Sequence, residues 1–131
     1  SDDQLFCPTV AEDVAFGPLN LGKSEEEALA ITREVLERLG LQGFEDRLTY
    51  KLSGGEKRLI SLATVLAMKP EVLVLDEPST GLDEDTVERL IEILRSSDLT
   101  YLIASHNSDF LAKTTDIVYR LERGKLASQY S

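Results

Sequence analysis

Tryptophan is absent from this sequence, and cysteine, methionine and histidine each occur once. The lone Cys7 excludes an internal disulfide and suits a reducing compartment. No apolar run approaches the ~20 residues needed to cross a bilayer, and no signal peptide is visible. Positive charge is scarce: 14 Lys and Arg stand against 24 Asp and Glu, a formal net charge of −10. That balance argues against a nucleic-acid backbone or an anionic lipid surface as a nonspecific partner. It does not argue against a small anion held by local dipoles and a metal ion. Internal repeats and low-complexity tracts are also missing. What remains is 131 residues, 42% apolar and 29% charged, enough for one soluble globular domain with a modest core. The start at Ser1-Asp2-Asp3, without methionine, is expected of a piece of a longer protein.

The chain is organised around Leu52-Ser53-Gly54-Gly55-Glu56. Ser53 is a good helix N-cap and Glu56 follows three residues later, a capping box. Behind it Leu59, Ile60, Leu62, Ala63, Leu66 and Ala67 recur at helical period, which predicts a helix over about 54–68 closed by Lys69-Pro70. Gly54 and Gly55 leave the first turn without side chains. Backbone N–H groups there can approach an anion closely, and the helix dipole favours negative charge. Taken alone, such a stretch is more often the start of an ordinary capped core helix.

Val72-Leu73-Val74-Leu75 is a continuous apolar run, as expected of a parallel strand buried on both faces. It ends in Asp76 and Glu77, and Pro78 stops the ladder. Open α/β sheets gather ligands at the carboxyl ends of their strands. An aspartate there can hold Mg²⁺, directly or through water, and a neighbouring glutamate can take a proton from an attacking water. A strand running into a polar turn is the plainer alternative. Two ionised carboxylates side by side repel each other and lose solvation, which weakens that alternative. Thr100 to Ser105 reads as another buried strand, with His106 at its carboxyl end. A lone histidine is more often a structural hydrogen-bonder than a catalyst, but at the same sheet edge as the acidic pair it can sense a phosphate.

Together these stretches resemble the ATP-binding cassette (ABC) ATPases. Leu52 to Glu56 is similar to their signature motif, with Glu56 where glutamine is commoner. Val72 to Asp76 is similar to their Walker B strand, and Glu77 to the glutamate that follows it. Ser79-Thr80-Gly81-Leu82-Asp83 resembles their D-loop, and Leu102 to His106 the strand leading to their switch histidine. The four motifs come in the family's order, yet they reach only the C-terminal part of a cassette. Leu59 departs from the family, which usually has a basic or polar residue there. Asp2 to Val10, continuing from Glu12 to Pro18, resembles the segment after the Q-loop in one branch. That branch comprises the ATPase subunits of energy-coupling-factor and cobalt/nickel-type importers. Gln4 is not read as the Q-loop glutamine, which lies earlier in that branch.

The resemblance implies an α/β fold, a fragment of a P-loop NTPase. Residues 1–70 would be a helical signature subdomain and residues 71–131 the Walker B to switch-histidine half of a mainly parallel sheet. It also implies ATP hydrolysis with Mg²⁺ at a dimer interface. Asp76 would hold Mg²⁺ through water, Glu77 would polarise the attacking water, and His106 would contact the γ-phosphate. Ser53, Gly54, Gly55 and Glu56 would grip the nucleotide of the opposite subunit. Ser79, Gly81, Leu82 and Asp83 would carry contacts across the interface. The implied partners are a second ABC subunit and a transmembrane transporter subunit, with no nucleic acid, on the cytoplasmic face of the cell membrane. Cobalt, nickel and vitamins are all handled by this branch. The alternatives are an ABC ATPase without a transporter, and a docking module that performs no chemistry.

One further match misleads. Gly17-Pro18-Leu19-Asn20-Leu21-Gly22-Lys23-Ser24 satisfies the P-loop pattern letter for letter. Yet Pro18 has no N–H, and Leu19 and Leu21 are bulky where close backbone approach is wanted. Glu25, Glu26 and Glu27 follow, and each carboxylate–phosphate pair at ~4 Å costs about 4 kcal/mol at an effective dielectric near 20. Those residues suit a helix start, with Ser24 as N-cap and Glu27 closing the box. Without a P-loop, the chain alone is expected neither to bind ATP tightly nor to turn it over. The family's P-loop strand lies between the strand ending at His106 and the one starting near Asp116. Its absence would leave apolar strand edges exposed, so self-association, a rearranged sheet or a second polypeptide is expected.

The remaining stretches are read coarsely. Residues 1–22 read as loop with a helical turn near Val10 to Phe16. A helix from Glu25 to Leu39 faces Ala28, Ile31, Val35, Leu36 and Leu39 inward, and Gly40 ends it. Residues 41–51 form a linker with one turn around Glu45 to Leu48. Asp83 caps a helix over 84–96 with Val87, Leu90, Ile91 and Leu94 as its stripe. A short helix over 108–114 and strands over 116–122 and 125–130, turning at Arg123-Gly124, complete the chain.

Overall fold

A computed structural model describes residues 8–130. The readings of Gln4 and Cys7 lie outside the described residues. Three helices come first, α1 (Val10–Asn20), α2 (Glu25–Arg38) and α3 (Gly54–Ala67). They are followed by β1 (Val72–Asp76), α4 (Glu84–Ser96), β2 (Thr100–Ala104), α5 (Ser108–Thr114), β3 (Val118–Glu122) and β4 (Lys125–Tyr130). Each of the first three helices opens with a complete capping box: Thr9 with Glu12, Ser24 with Glu27, and Ser53 with Glu56. Such boxes satisfy N–H groups that the helix cannot pair internally.

Helix α1 is longer than the expected turn and runs through Gly17 and Pro18 to Asn20. Packing carries it there. Pro18 is fully buried, and a Cβ added at Gly17 would lie 2.6 Å from Met68 Cγ at the end of α3. The misleading P-loop pattern is therefore a helix end, a turn at Gly22 and the cap of α2, not a strand and an anion loop. The linker also differs from expectation. Besides the turn closed by the Arg47 N–H to Phe44 O at 3.0 Å, a 3₁₀ turn spans Thr49–Lys51. Val10 N donates to Arg47 O at 2.8 Å and Ala11 N to Glu45 O at 2.9 Å, tying the linker to the start of α1. This tie delivers Leu52 to the core immediately before the Ser53 cap.

β1 and β2 pair in parallel, from Val72 opposite Thr100 to Asp76 opposite Ala104. Their carboxyl ends therefore finish together. The expectation that these strands are buried on both faces does not hold. Leu73 and Leu75 are buried, but Val72 is 61% and Val74 69% exposed, and Leu102 beside them is exposed as well. The inward face packs in one cluster with Ile60 and Ala63 of α3, Leu90, Ile93 and Leu94 of α4, and Phe110 of α5. No described residue covers the other face. β3 and β4 form a separate antiparallel hairpin, turning at Arg123 and Gly124, both at positive φ as such turns require.

Val10 and Val14 of α1 and Leu36 and Leu39 of the α2 end join the same core, each fully buried. A buried aliphatic side chain of this size contributes roughly 1.5–3 kcal/mol. On α2 the deepest positions are Ala28, Thr32 and Leu36, with Ile31 and Val35 only half-buried. Thr32 can sit there because its hydroxyl donates to Ala28 O at 2.8 Å.

Candidate functional site

The parallel register of β1 and β2 puts Asp76, Glu77, Ser105 and His106 at one sheet edge. Glu77 is a non-glycine residue in the left-handed region, with φ of 48°. This turns the chain away from β1, while its N–H still donates to Ala104 O at 2.7 Å. The turn aims the half-buried Glu77 carboxylate across to the neighbouring strand. Its Oε1 accepts the His106 backbone N–H at 3.0 Å and lies 2.6 Å from His106 Nδ1. The Ser105 hydroxyl donates to Oε2 at 3.4 Å.

The bond from the His106 ring, with smaller help from its N–H and from Ser105, outweighs desolvation and holds Glu77 below its usual carboxylate range. An ionised Glu77 takes the proton of His106 Nδ1 as a hydrogen bond, which leaves Nε2 of that exposed ring for another partner. A carboxylate so placed can accept a proton from water. Asp76 stands beside it, exposed at the strand end.

The Ser53-Gly54-Gly55 turn is open to solvent, not packed inside. Ser53 Oγ accepts the Glu56 N–H at 3.1 Å, and Glu56 Oε1 accepts the Ser53 N–H at 2.9 Å. Glu56 Oε2 also lies 3.8 Å from Arg47 Nη1, so a cation stands beside the carboxylate that closes the box. The N–H groups of Gly54 and Gly55 remain outside the box, and a Cβ added at Gly54 would meet nothing within 4 Å. This vacancy of side chains is what an approaching phosphate needs. The Asp83 side chain caps α4 through the Thr86 N–H at 2.8 Å. Hydrogen bonds from Thr86, side chain before backbone, hold that carboxyl low as well. Leu82 packs against the core, the Ser79 carbonyl accepts the Leu82 N–H at 3.3 Å, and Gly81 turns at a φ of 80°.

All the residues singled out in the sequence thus lie on two adjoining turns and one sheet edge. Two contributors carry no motif in the sequence. Ser105 reads there only as the end of a strand. Arg58 of α3 reaches the backbone of the acidic turn, its Nη2 donating to Glu77 O and lying 3.4 Å from Asp76 O. The available signal was helical phase, since Arg58 stands four residues before the buried Leu62 and so shares its edge. Among the described residues no group of three or more His, Cys, Asp or Glu could hold a metal ion by itself. Mg²⁺ commonly takes one or two carboxylates and completes its shell with water and substrate phosphates, so the exposed Asp76 fits that smaller share. No helix among the described residues is long and apolar enough to cross a membrane.

A family model described as ABC transporter matches residues 2–80. A protein of Brucella suis, provisionally named an ABC transporter ATP-binding protein, is 54% identical over 125 residues, covering 95% of this chain and 52% of its own length. The energy-coupling factor transporter ATP-binding protein EcfA of Methanothermobacter thermautotrophicus is 47% identical over 131 residues, covering 98% of this chain and 42% of its own. Among solved structures, cbiO1 from Clostridium perfringens, described as part of the ABC transporter complex cbiONQ, superposes with a TM-score of 0.80 at 35% identity. It covers 98% of this chain and 53% of its own. The chain therefore spans about half the length of these relatives.

Proposed function

The chain belongs to the ABC transporter family of ATP-binding subunits, and from that premise we propose that it forms the catalytic edge and signature turn of an ATPase that drives an importer. The observation that carries this reading is the Glu77 carboxylate joined to both the ring and the backbone of His106 at the strand ends. In this reading Glu77 accepts the proton of the water that attacks the γ-phosphate. His106, oriented by Glu77 through Nδ1, offers Nε2 to that phosphate. Asp76 would hold Mg²⁺, which would supply neutralising charge to the phosphates. Ser53, Gly54 and Gly55 receive the γ-phosphate of a second subunit, with Glu56 shaping their turn. Ser79, Gly81, Leu82 and Asp83 line the contact between subunits. Hydrolysis removes charge from the junction, the subunits part, and a transmembrane partner moves.

The 47% sequence identity to one EcfA protein and the likeness to cbiO1 support the energy-coupling-factor or cobalt/nickel type of importer. The subunit would then sit on the cytoplasmic face of the membrane. The test is ATP turnover by the gene product as expressed, with and without Glu77→Gln. We expect the substitution to lower kcat by at least about a hundredfold, since it removes the proton acceptor. Equal turnover in both would overturn the catalytic reading in favour of a docking module.

A further inference from the structure

We infer that Arg58 is a positioning residue that holds Glu77 in its working conformation and ties it to the signature turn of the same chain. The inference rests on the reading of Glu77 given above. Arg58 is the fifth residue of α3, whose first residues are the open Gly54 and Gly55. Its guanidinium spans the gap to the end of β1, with Nη2 donating to Glu77 O and standing 3.4 Å from Asp76 O. Its Nε is buried and has no hydrogen-bond partner among the described residues.

Those carbonyls belong to an unusual piece of backbone. Glu77 occupies left-handed φ, which non-glycine residues avoid unless the surroundings impose it. Two donors meet at its carbonyl oxygen, Arg58 Nη2 and the Thr80 N–H at 3.3 Å. Both bonds fix the carbonyl that follows the Cα carrying the carboxylate, and so hold the chain on the C-terminal side of Glu77. The helix phase makes the contact available: Leu59 and Ile60 are buried in the core, so Arg58 flanks the packed face and points along it to the strand end. The two turns also lie close together, since a Cβ built at Gly55 would stand 3.6 Å from Gly81 O. Arg58 thus joins the first turns of α3 to the backbone of the acidic turn. In a dimer whose nucleotides each lie between one signature turn and the opposite acidic pair, Arg58 connects the two nucleotide sites through one chain.

The test compares Arg58→Gln and Arg58→Lys with Arg95→Ala, an exposed control that only loses its bond to Asp116. The gene product as expressed is used, with NMR signals of the Glu77 amide, the His106 amide and the His106 ring recorded without nucleotide. ATP turnover is measured in parallel. Arg58→Gln is expected to shift all three signals and to lower kcat roughly ten- to a hundredfold with KM changed less than about twofold. Lysine is expected to fall between, because a single ammonium cannot reproduce the guanidinium fork. Unchanged signals in folded Arg58→Gln overturn the inference, and if that variant does not fold, unchanged signals in Arg58→Lys do so. If the unaltered protein shows no turnover, the ATPase reading fails, while the NMR comparison alone still decides whether Arg58 positions Glu77.

Discussion

A methyl group added at Gly55 would sit 3.6 Å from the carbonyl oxygen of Gly81, an ordinary contact, although the two residues belong to different turns. At Gly54 it would meet nothing within 4 Å. Neither glycine has positive φ, so the fold does not need them. Alanine at either position is expected to leave the melting temperature unchanged or raise it, by up to about 1 kcal/mol of stability. ATP turnover is expected to fall all the same, because the methyl occupies the phosphate's approach. Calorimetry beside a turnover assay checks both halves.

Glu56 places a negative charge on the helix end that is proposed to receive a phosphate. Glutamine can close the same capping box. Glu56→Gln is therefore expected to keep stability within about 0.5 kcal/mol while tightening nucleotide-driven dimerisation. Sedimentation with and without ATP reads the difference, and weaker dimerisation would show that the carboxylate itself serves the site.

The pH dependence of the acidic edge has a definite sign. His106 and Ser105 lower the Glu77 carboxyl below its ordinary value of about 4.3. Its stabilising contribution is therefore complete above that ordinary value, and is lost as pH falls through the lowered folded value. A ¹³C titration of the Glu77 carboxyl is expected to show a depressed midpoint that returns towards the ordinary range in His106→Ala. An equal midpoint in both proteins would remove His106 as the cause.

Lys23 completes the letters of a P-loop but precedes a helix cap whose Glu27 carboxylate accepts the Ser24 N–H at 3.3 Å. Lys23→Ala is expected to leave nucleotide affinity and turnover unchanged. A tenfold loss of affinity would restore the motif as a phosphate site.

Val72, Val74 and Leu102 form an exposed apolar face on the β1–β2 pair. We expect residues 1–131, prepared alone, to associate at high concentration through this face and to show no micromolar affinity for ATP. Val74→Lys is expected to reduce that association with little change in thermal stability. Light scattering and nucleotide titration together check this.

Much of the site was legible because its signals are local. Ser53 and Glu56 close their box within one helical turn, Asp83 caps α4, and Val72 to Asp76 announces a strand by composition. The length of α1 was not legible. Pro18 is a helix breaker by local rule, and only its burial, with Gly17 seated against Met68, carries the helix past it. Thr32 was missed for a similar reason: its polarity is hidden by a bond to its own helix. The exposure of Val72 and Val74 was misread because periodicity reports that residues are apolar, not whether anything lies against them.

From the sequence by itself came the order of helices and strands, the caps that start them, and the family to which the chain belongs. Such features depend on residues a few positions apart, within reach of local hydrogen bonds and of the helix and strand periods. Only the tertiary structure decided that Glu77 would bond His106 across a separation of 29 residues, that Arg58 would reach the acidic turn, and that one sheet face would stand bare. Those outcomes depend on parallel register, helix phase and which surfaces meet, and no stretch of chain carries that information alone.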